Sequence, residues 1–534
     1  MSKLSNTLSR PLGAQISHML KDRGVDVIFG IPGVHNQEMY RGIEEAGIIH
    51  VLARHEQGAG FMADGYARAS GKPGVAYVIT GPGLCNIMTP MGQAYSDSVS
   101  MLVISSCLDE VSARKGQLHQ MRDQRAAAET VCDWSNEAGS ADAAYTLIDR
   151  AFAEFQNVRP RPKHIQVPIA LLEGQAAPVA RNLSLPSNKN ADGDVIQDVF
   201  TRLLYAQYPL IILGGGVAKG DCEGVAKAMR TIGAASMVST AGRGLVDPVD
   251  PFTFGACLAR PSSAEVAAKA DLVVVVGCEL AEVDLWRSEL GHAAPLIRVD
   301  MDASVGAADP KISMFVQSDG ASFILALADQ FDEPLNTEWH ADNVTMWRAR
   351  WRSEVISERP NIAPVIEVLE AAVPEDTMIY SDMTQLAYAA VELWDMALPK
   401  HWHHPSGFGT LGYATPAAIG GAIARPNKPT MAIIGDYGFH YTMAELGVAV
   451  ELGLSIPIVL WDNAKLGEIE DSMTAAQIAP NAVIAHNPDF CKLAEAFGAR
   501  TSAPENLIEL HKAVQSAFNA DGPTLIYVTP KILA

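Results

Sequence analysis

Short uninterrupted apolar runs, separated by helix-like segments, constrain the fold of this chain more than any other feature. Residues 25–30, 74–80, 101–106 and 163–168 are runs of this kind in the first third of the sequence. Strands covered on both faces read as continuous apolar runs, and helical segments between them indicate parallel pairing. The first third is therefore predicted to form an α/β unit around a parallel sheet.

The same alternation occurs twice more along the chain. Its predicted strands are 210–213, 272–276 and 296–300, then 378–381, 430–434, 456–461 and 524–528. A chain of 534 residues exceeds what one hydrophobic core usually organises. The aperiodic segments 175–194 and 336–361 are predicted to be linkers. We predict an α/β fold of three consecutive parallel-sheet domains, with boundaries at 1–175, 190–335 and 355–534.

Composition excludes several functional classes. The net charge of −21 argues against nucleic-acid partners and anionic membrane surfaces, because both require basic patches. The chain has no run of about eighteen apolar residues and no apolar signal segment, so no membrane association is predicted. The seven cysteines are scattered without CxxC spacing, which indicates neither a disulfide framework nor a zinc site. We expect a soluble, cytoplasmic protein.

Polar residues follow two successive predicted strands of the last third. The strand 430–434 ends at Gly435-Asp436-Tyr437-Gly438, and the next strand ends at Asp462-Asn463. Because parallel strands end at one edge of their sheet, Asp436 and Asn463 are expected to converge on a hard cation such as Mg²⁺. Amides of the glycine turn would then receive phosphate oxygens. Alone, such a turn is more often structural, as is the Gly214–Gly216 cluster, which lacks GxGxxG spacing.

Three segments together resemble the motifs of thiamine-diphosphate-dependent enzymes. Residues 435–467 resemble the cofactor motif that begins Gly-Asp-Gly and closes on Asn-Asn. Residues 54–68 resemble the segment that bears the family's activating glutamate, and residues 80–86 resemble the glycine-rich loop after it. The resemblance covers essentially the whole chain and is strongest to the acetolactate-synthase-like branch. Residues 31–35 and 54–58 are also similar to 2-ketoarginine decarboxylases.

The resemblance implies thiamine diphosphate and Mg²⁺ as cofactors, and pyrimidine-binding, central and diphosphate-binding domains in that order. It implies that Glu56 activates the cofactor, that Asp436, Asn463 and the Lys465 backbone carbonyl hold the metal, and that Thr384, Gln385, Gly409, Leu411, Gly435, Tyr437 and Gly438 contact the cofactor. Without the motif, Glu56 is equally well explained as a salt-bridge partner of Arg54 or Arg68. Leu411 alone would be read as ordinary core.

Departures from the family pattern limit what the resemblance implies. Tyr437 and Asp462 replace a glycine and an asparagine, so Tyr437 must adopt a conformation open to ordinary residues. The paired histidines of pyruvate-decarboxylase-type enzymes are missing after Gly83. His119, His403 and His404 are the nearest candidates, although histidines at such places are more often structural. Residues 277–284 offer no arginine to a flavin's phosphates, so FAD is not expected.

The expected function is decarboxylation of a 2-oxo acid. Glu468, Glu470 and Asp471 follow the metal motif and suggest a substrate with a cationic tail such as guanidinium, although a solvated acidic helix face is the more common explanation. One alternative is a carboligase of the acetolactate-synthase type without FAD, and another is a non-catalytic relic that serves assembly or regulation. The resemblance also implies active sites between chains, in a homodimer or homotetramer.

Overall fold

The computed structural model describes residues 8–109, 116–179, 190–308 and 311–533. These residues form three parallel sheets with flanking helices, which confirms the predicted α/β fold class. A small antiparallel pair, β1 (Arg10–Pro11) with β8 (Gln175–Ala176), joins the two ends of the first unit. Residues 180–189 of the first predicted linker lie outside the described residues.

The first sheet has six strands in the spatial order β3-β2-β4-β5-β7-β6, and every neighbouring pair is parallel. Its strands are β2 (Val27–Gly30), β3 (Ile49–Leu52), β4 (Gly74–Val78), β5 (Met101–Cys107), β6 (Trp134–Glu137) and β7 (Lys163–Pro168). Its helices are α1 (Leu12–Asp22), α2 (Gln37–Glu45), α3 (Glu56–Ser70), α4 (Pro82–Ser96), α5 (Gln124–Glu129), α6 (Ala141–Asn157) and α7 (Ile169–Glu173).

The central sheet has the order β10-β9-β11-β12-β13 and is also parallel. Its strands are β9 (Pro209–Leu213), β10 (Ala235–Val238), β11 (Leu272–Val276), β12 (Leu296–Asp300) and β13 (Ile312–Gln317). Its helices are α8 (Gly193–Tyr205), α9 (Cys222–Ile232), α10 (Ser263–Lys269), α11 (Glu282–Leu285), α12 (Ala303–Ala308), α13 (Gly320–Ala328) and α14 (Ala341–Glu358).

The second predicted linker is largely helix α14, so that expectation was wrong. Val344, Trp347, Trp351 and Val355 recur at helical spacing, and this stripe packs against the core of the central sheet. Polar residues between the stripe positions obscured the period in the sequence. The predicted domain boundaries on either side of α14 stay a prediction.

The third sheet has the order β15-β14-β16-β17-β19-β18, again with parallel neighbours. Its strands are β14 (Met378–Ser381), β15 (Trp402–His403), β16 (Thr430–Gly435), β17 (Pro457–Trp461), β18 (Arg500–Ser502) and β19 (Thr524–Val528). Its helices are α15 (Ala363–Ala372), α16 (Gln385–Leu393), α17 (Ala414–Ala424), α18 (Asp436–Thr442), α19 (Leu446–Glu451), α20 (Gly467–Ala475), α21 (Phe490–Ala496) and α22 (Leu507–Ala517).

The first and third units share one buried apolar core, in which α3 crosses α17 at backbone contact. A Cβ atom added to Gly65 would lie 2.0 Å from the Ala417 carbonyl oxygen. One added to Gly420 would lie 1.9 Å from the Met62 carbonyl oxygen. Only glycine permits this approach, which holds the start of α3 in a fixed position relative to the third sheet. Within the four described ranges, no helix combines the length and apolarity needed to cross a bilayer.

Candidate active site

Glu56 is the first residue of α3 and lies at the carboxyl edge of the first sheet. Its side chain is buried, and its Oε2 accepts a hydrogen bond from Asn86 Nδ2 at 2.8 Å. The preceding residue, His55, caps the helix, because its ring Nδ1 accepts from the Gln57 amide at 3.1 Å. Gly83 leaves room for the carboxylate, since a Cβ there would come within 3.4 Å of Glu56 Oε1. The glutamate is therefore oriented and shielded from water.

Glu445 ties this helix start to the third unit. It ends the 3₁₀ turn Met443–Glu445 that follows α18, and its carboxylate accepts from the Arg54 amide at 3.1 Å and the His55 amide at 2.9 Å. The side chain is 1% exposed, and burial raises its pKa to about 7. Two backbone segments that carry candidate site residues thus meet on one buried carboxylate.

The carboxyl ends of β16 and β17 bring Asp436 and Asp462 together. Asn487 Nδ2 donates to Asp436 Oδ2 at 2.7 Å and to Asp462 Oδ1 at 2.8 Å, and Tyr527 donates to Asp462 Oδ2 at 2.8 Å. Asn463 is the next residue, and its Oδ1 accepts from the Lys465 amide at 3.3 Å. Burial first, and then the charge of Asp462, raise the pKa of Asp436.

This donor set suits a hard divalent cation. Carboxylate, carboxamide and backbone carbonyl oxygens are the ligands that Mg²⁺ accepts, and a cation would offset the repulsion between the two buried carboxylates. In the described ranges no group of three or more His, Cys, Asp or Glu residues could hold a metal. A cation at this edge would therefore depend on Asn463 and on a backbone carbonyl as well as on Asp436.

Helix α18 begins at Asp436, whereas the sequence predicted a helix start near Thr442. Tyr437 consequently has an ordinary helical position and is not among the residues with positive φ, as its side chain requires. Gly438 packs against the third sheet so closely that a Cβ would lie 2.7 Å from Asp382 Oδ1. The turn after β16 therefore needs glycine at 438 and tolerates tyrosine at 437.

Asp382 organises the loop that contains Gly409 and Leu411. Its fully buried carboxylate accepts from the Met383 amide at 2.9 Å, the Gly412 amide at 3.2 Å and the Ala414 amide at 3.0 Å. Burial raises its pKa to about 6, and these backbone donors oppose that rise. The loop after β14 and the loop before α17 are thereby held together at the edge that also carries Asp436.

Residues predicted to contact the cofactor line this edge. Thr384 precedes α16 and is buried beside Gly435, where a Cβ would lie 3.0 Å from its hydroxyl. Gln385 Oε1 accepts from Asn463 Nδ2 at 3.4 Å. Gly409 has a φ of 66° and is exposed, and Leu411 is partly exposed. An exposed branched apolar side chain beside a glycine turn differs from ordinary core packing.

The acidic residues of α20 lie next to Gln385. Its Nε2 donates to Asp471 Oδ2 at 3.0 Å and to Glu468 Oε2 at 3.4 Å. Glu468 also pairs with Arg359 at 3.1 Å, and Glu470 pairs with Lys465. Gln385 therefore contacts both Asn463 and the acidic face of α20.

The candidate histidines occupy different surroundings. The His119 ring packs against His35, with centroids 4.9 Å apart, at the edge that carries Glu56. His404 lies between Ser381, which contacts its Nδ1 at 2.9 Å, and Tyr388. Burial lowers the pKa of His404 to about 3. His403 is also buried and packs against Tyr380.

The central sheet borders a cleft of about 420 Å³ at its carboxyl edge. The Gly214–Gly216 turn there packs against the backbone of Gly277, with room for no Cβ at Gly214, which explains the glycines structurally. Glu279, in the segment where a flavin-binding enzyme would carry arginine, pairs bidentately with Arg159 at 3.0 and 2.6 Å.

Several residues of this site were not identified from the sequence. Asn86 and Asp382 stand inside the motif segments, and their types and positions there could have marked them. Glu445 is a carboxylate nine residues after Asp436, but nothing in the sequence indicates that α3 lies against it. Asn487 belongs to a loop 51 residues from Asp436 and carries no signal at all.

Comparison with known proteins gives concordant results. Models of three thiamine pyrophosphate enzyme domains match: the N-terminal TPP binding domain at residues 10–127, the central domain at 196–327 and the C-terminal TPP binding domain at 382–528. A probable 2-ketoarginine decarboxylase from Pseudomonas aeruginosa is 40% identical over 96% of this chain and 93% of its own length. The large subunit of acetolactate synthase isozyme 2 from Escherichia coli is 28% identical over 97% and 95%.

Proposed function

We propose, from the premise that this chain belongs to the thiamine pyrophosphate enzyme family, that it decarboxylates a 2-oxo acid with a cationic tail. The similarity to a probable 2-ketoarginine decarboxylase over nearly the whole of both chains supports the reaction and the substrate class. The acidic face of α20 beside Gln385 carries the proposal about the tail, because guanidinium pairs well with carboxylates.

Thiamine diphosphate, when bound, supplies the electron sink that a 2-oxo acid needs in order to lose carbon dioxide. Glu56 would hold the pyrimidine ring, with its carboxylate fixed by Asn86 and shielded from water. Leu411 and the Gly409 carbonyl would shape the ring's position. The chain thereby excludes solvent and keeps one carboxylate ready to exchange a proton at Oε1.

Mg²⁺ would be held by Asp436, Asn463 and the Lys465 backbone carbonyl. The diphosphate would meet Thr384, Gln385 and the amides of Gly435, Tyr437 and Gly438, at the start of α18. FAD is not expected, and the pairing of Glu279 with Arg159 supports this prediction, because that segment is already engaged by a cation of the chain.

A substrate survey tests the proposal. We expect a kcat/KM for 2-ketoarginine at least about tenfold above that for a neutral 2-oxo acid of similar length, such as 2-oxohexanoate, and carbon dioxide with aldehyde as products. Asp471→Asn and Glu468→Gln should each reduce this preference. Glu375→Gln removes an exposed carboxylate elsewhere and should leave it unchanged. Equal turnover of charged and neutral acids would contradict the proposed tail specificity.

A carboligase is the second candidate, because acetolactate synthase subunits also match nearly the whole chain. The product distinguishes the two, since a carboligase makes a 2-hydroxyketone in place of free aldehyde. A non-catalytic relic is set aside, because the chain belongs to an enzyme family and keeps Glu56, Asp436 and Asn463.

The proposed assembly is a homodimer or homotetramer in the cytoplasm, with each active site between two chains. The family resemblance supports this arrangement. Light scattering after size-exclusion chromatography would measure the mass in solution. A monomer that is fully active at nanomolar concentration would exclude shared active sites.

A further inference from the structure

Two histidine rings pack together at the carboxyl edge of the first sheet without an evident structural need. His35 follows β2, and His119 lies before α5. Their rings meet edge to face, with centroids 4.9 Å apart and an interplanar angle of 69°. The Nδ1 atom of each ring is shielded from solvent and has no hydrogen-bond partner among the described residues. An unsatisfied buried polar atom costs roughly 1–3 kcal/mol, so two of them call for an explanation.

The pair and Glu56 stand around the same glycine turn. The His119 backbone carbonyl covers Gly81, where a Cβ would lie 2.4 Å from its oxygen. Gly83, at the other end of the turn, lies under the Glu56 carboxylate. The Ile79 side chain contacts both Gly83 and Gly33, two residues before His35. Both rings are therefore held by the structure that positions Glu56.

We propose that His35 and His119 form a proton-transfer pair that delivers a proton to the carbonyl carbon after carbon dioxide has left. This inference rests on the proposed decarboxylation. The reaction R–CO–COO⁻ + H⁺ → R–CHO + CO₂ breaks one C–C bond and forms one C–H bond with the same electron pair. The proton leaves the histidine pair, which water reloads. A carboligase instead forms a C–C bond at that carbon, so a proton donor favours aldehyde release.

Proximity suits the pair to this task. Two imidazolium rings this close repel each other, so the pair holds one proton more readily than two. Burial and the neighbouring His119 lower the pKa of His35, and the charge of Asp109 partly opposes this. A proton on the pair is therefore released easily near neutral pH, which is what a general acid requires.

Substitution of each histidine tests the pair. In the holoenzyme, His35→Gln and His119→Gln should lower kcat for aldehyde release by about 100-fold, with KM changed less than about threefold. With an added acceptor aldehyde, the fraction of 2-hydroxyketone should rise. External imidazole should partly restore aldehyde release to His119→Ala. The exposed His340, at the start of α14, gives the matched control His340→Gln, for which kcat and product ratio should stay at wild-type values.

Each outcome decides for or against the pair. If both variants bind thiamine diphosphate and keep kcat and product ratio within about twofold, the pair has no part in proton delivery. If a variant does not fold, the wild-type product ratio decides: aldehyde must fall relative to 2-hydroxyketone as rising pH removes the proton, and a flat ratio overturns the inference. A wild-type chain that releases no carbon dioxide from any 2-oxo acid would instead refute the proposed function.

Discussion

The first and third sheets have the same topology and different chemistry at their strand ends. Numbered within each unit, both follow the spatial order 2-1-3-4-6-5. After the first strand, the first unit has Gly33 where the third has Asp382. After the third strand, the first has Gly81 where the third has Asp436.

The difference shows how one scaffold supplies two complementary halves of a site. At the first edge, glycine turns bring backbone close to Glu56, whose carboxylate comes from a helix start. At the third edge, carboxylates stand directly on strand ends, which suits a cation and phosphates. Function therefore follows from the residues at the strand ends, while the strand order stays constant.

Removal of the Glu56 carboxylate should break the first half most severely. Glu56→Gln keeps the size of the side chain and one acceptor for Asn86, but it cannot exchange a proton. We expect kcat to fall by about 10²–10⁴-fold, with binding of thiamine diphosphate within about threefold of wild type. Steady-state turnover and a fluorescence titration with the cofactor measure the two effects. Full activity in the variant would remove Glu56 from the chemistry.

Packing between the two halves should be nearly as sensitive. Gly65→Ala would place a methyl group 2.0 Å from the Ala417 carbonyl oxygen, which forces α3 away from α17. Overpacking of this kind costs typically 1–3 kcal/mol and sometimes more. Chemical denaturation should show that loss, whereas Gly139→Ala, which meets no atom within 4 Å, should change stability by less than about 0.5 kcal/mol.

The sequence predicted the interior of all three sheets and none of their edges. Every interior strand was identified, because strands covered on both faces are continuous apolar runs. The six edge strands β3, β6, β10, β13, β15 and β18 were not, because most are short, partly polar or half-exposed. Strand ends placed Asp436 beside Asp462. Glu445 and Asn487 were out of reach, because their roles depend on contacts between distant segments.

Loss of a carboxylate at the third edge should weaken metal and cofactor binding together. Asp436→Asn removes the charge that a divalent cation would meet while keeping an oxygen and the helix start. We expect the apparent Kd for thiamine diphosphate at fixed Mg²⁺ to rise about tenfold to hundredfold. Isothermal titration with and without Mg²⁺ measures it. Unchanged affinity that still responds to Mg²⁺ would place the metal elsewhere.

The smallest expected effect concerns the carboxylate that joins the two halves. The folded protein raises the pKa of Glu445 to about 7, so it binds a proton that the unfolded chain releases near pH 4.5. Stability from this group is therefore greatest below pH 4.5 and declines as pH rises to 7, by up to about 1 kcal/mol per pH unit. Glu445→Gln should remove that decline. Denaturation of both proteins between pH 5 and 8 measures the difference, and parallel curves would show that the Arg54 and His55 amides keep Glu445 ionised throughout.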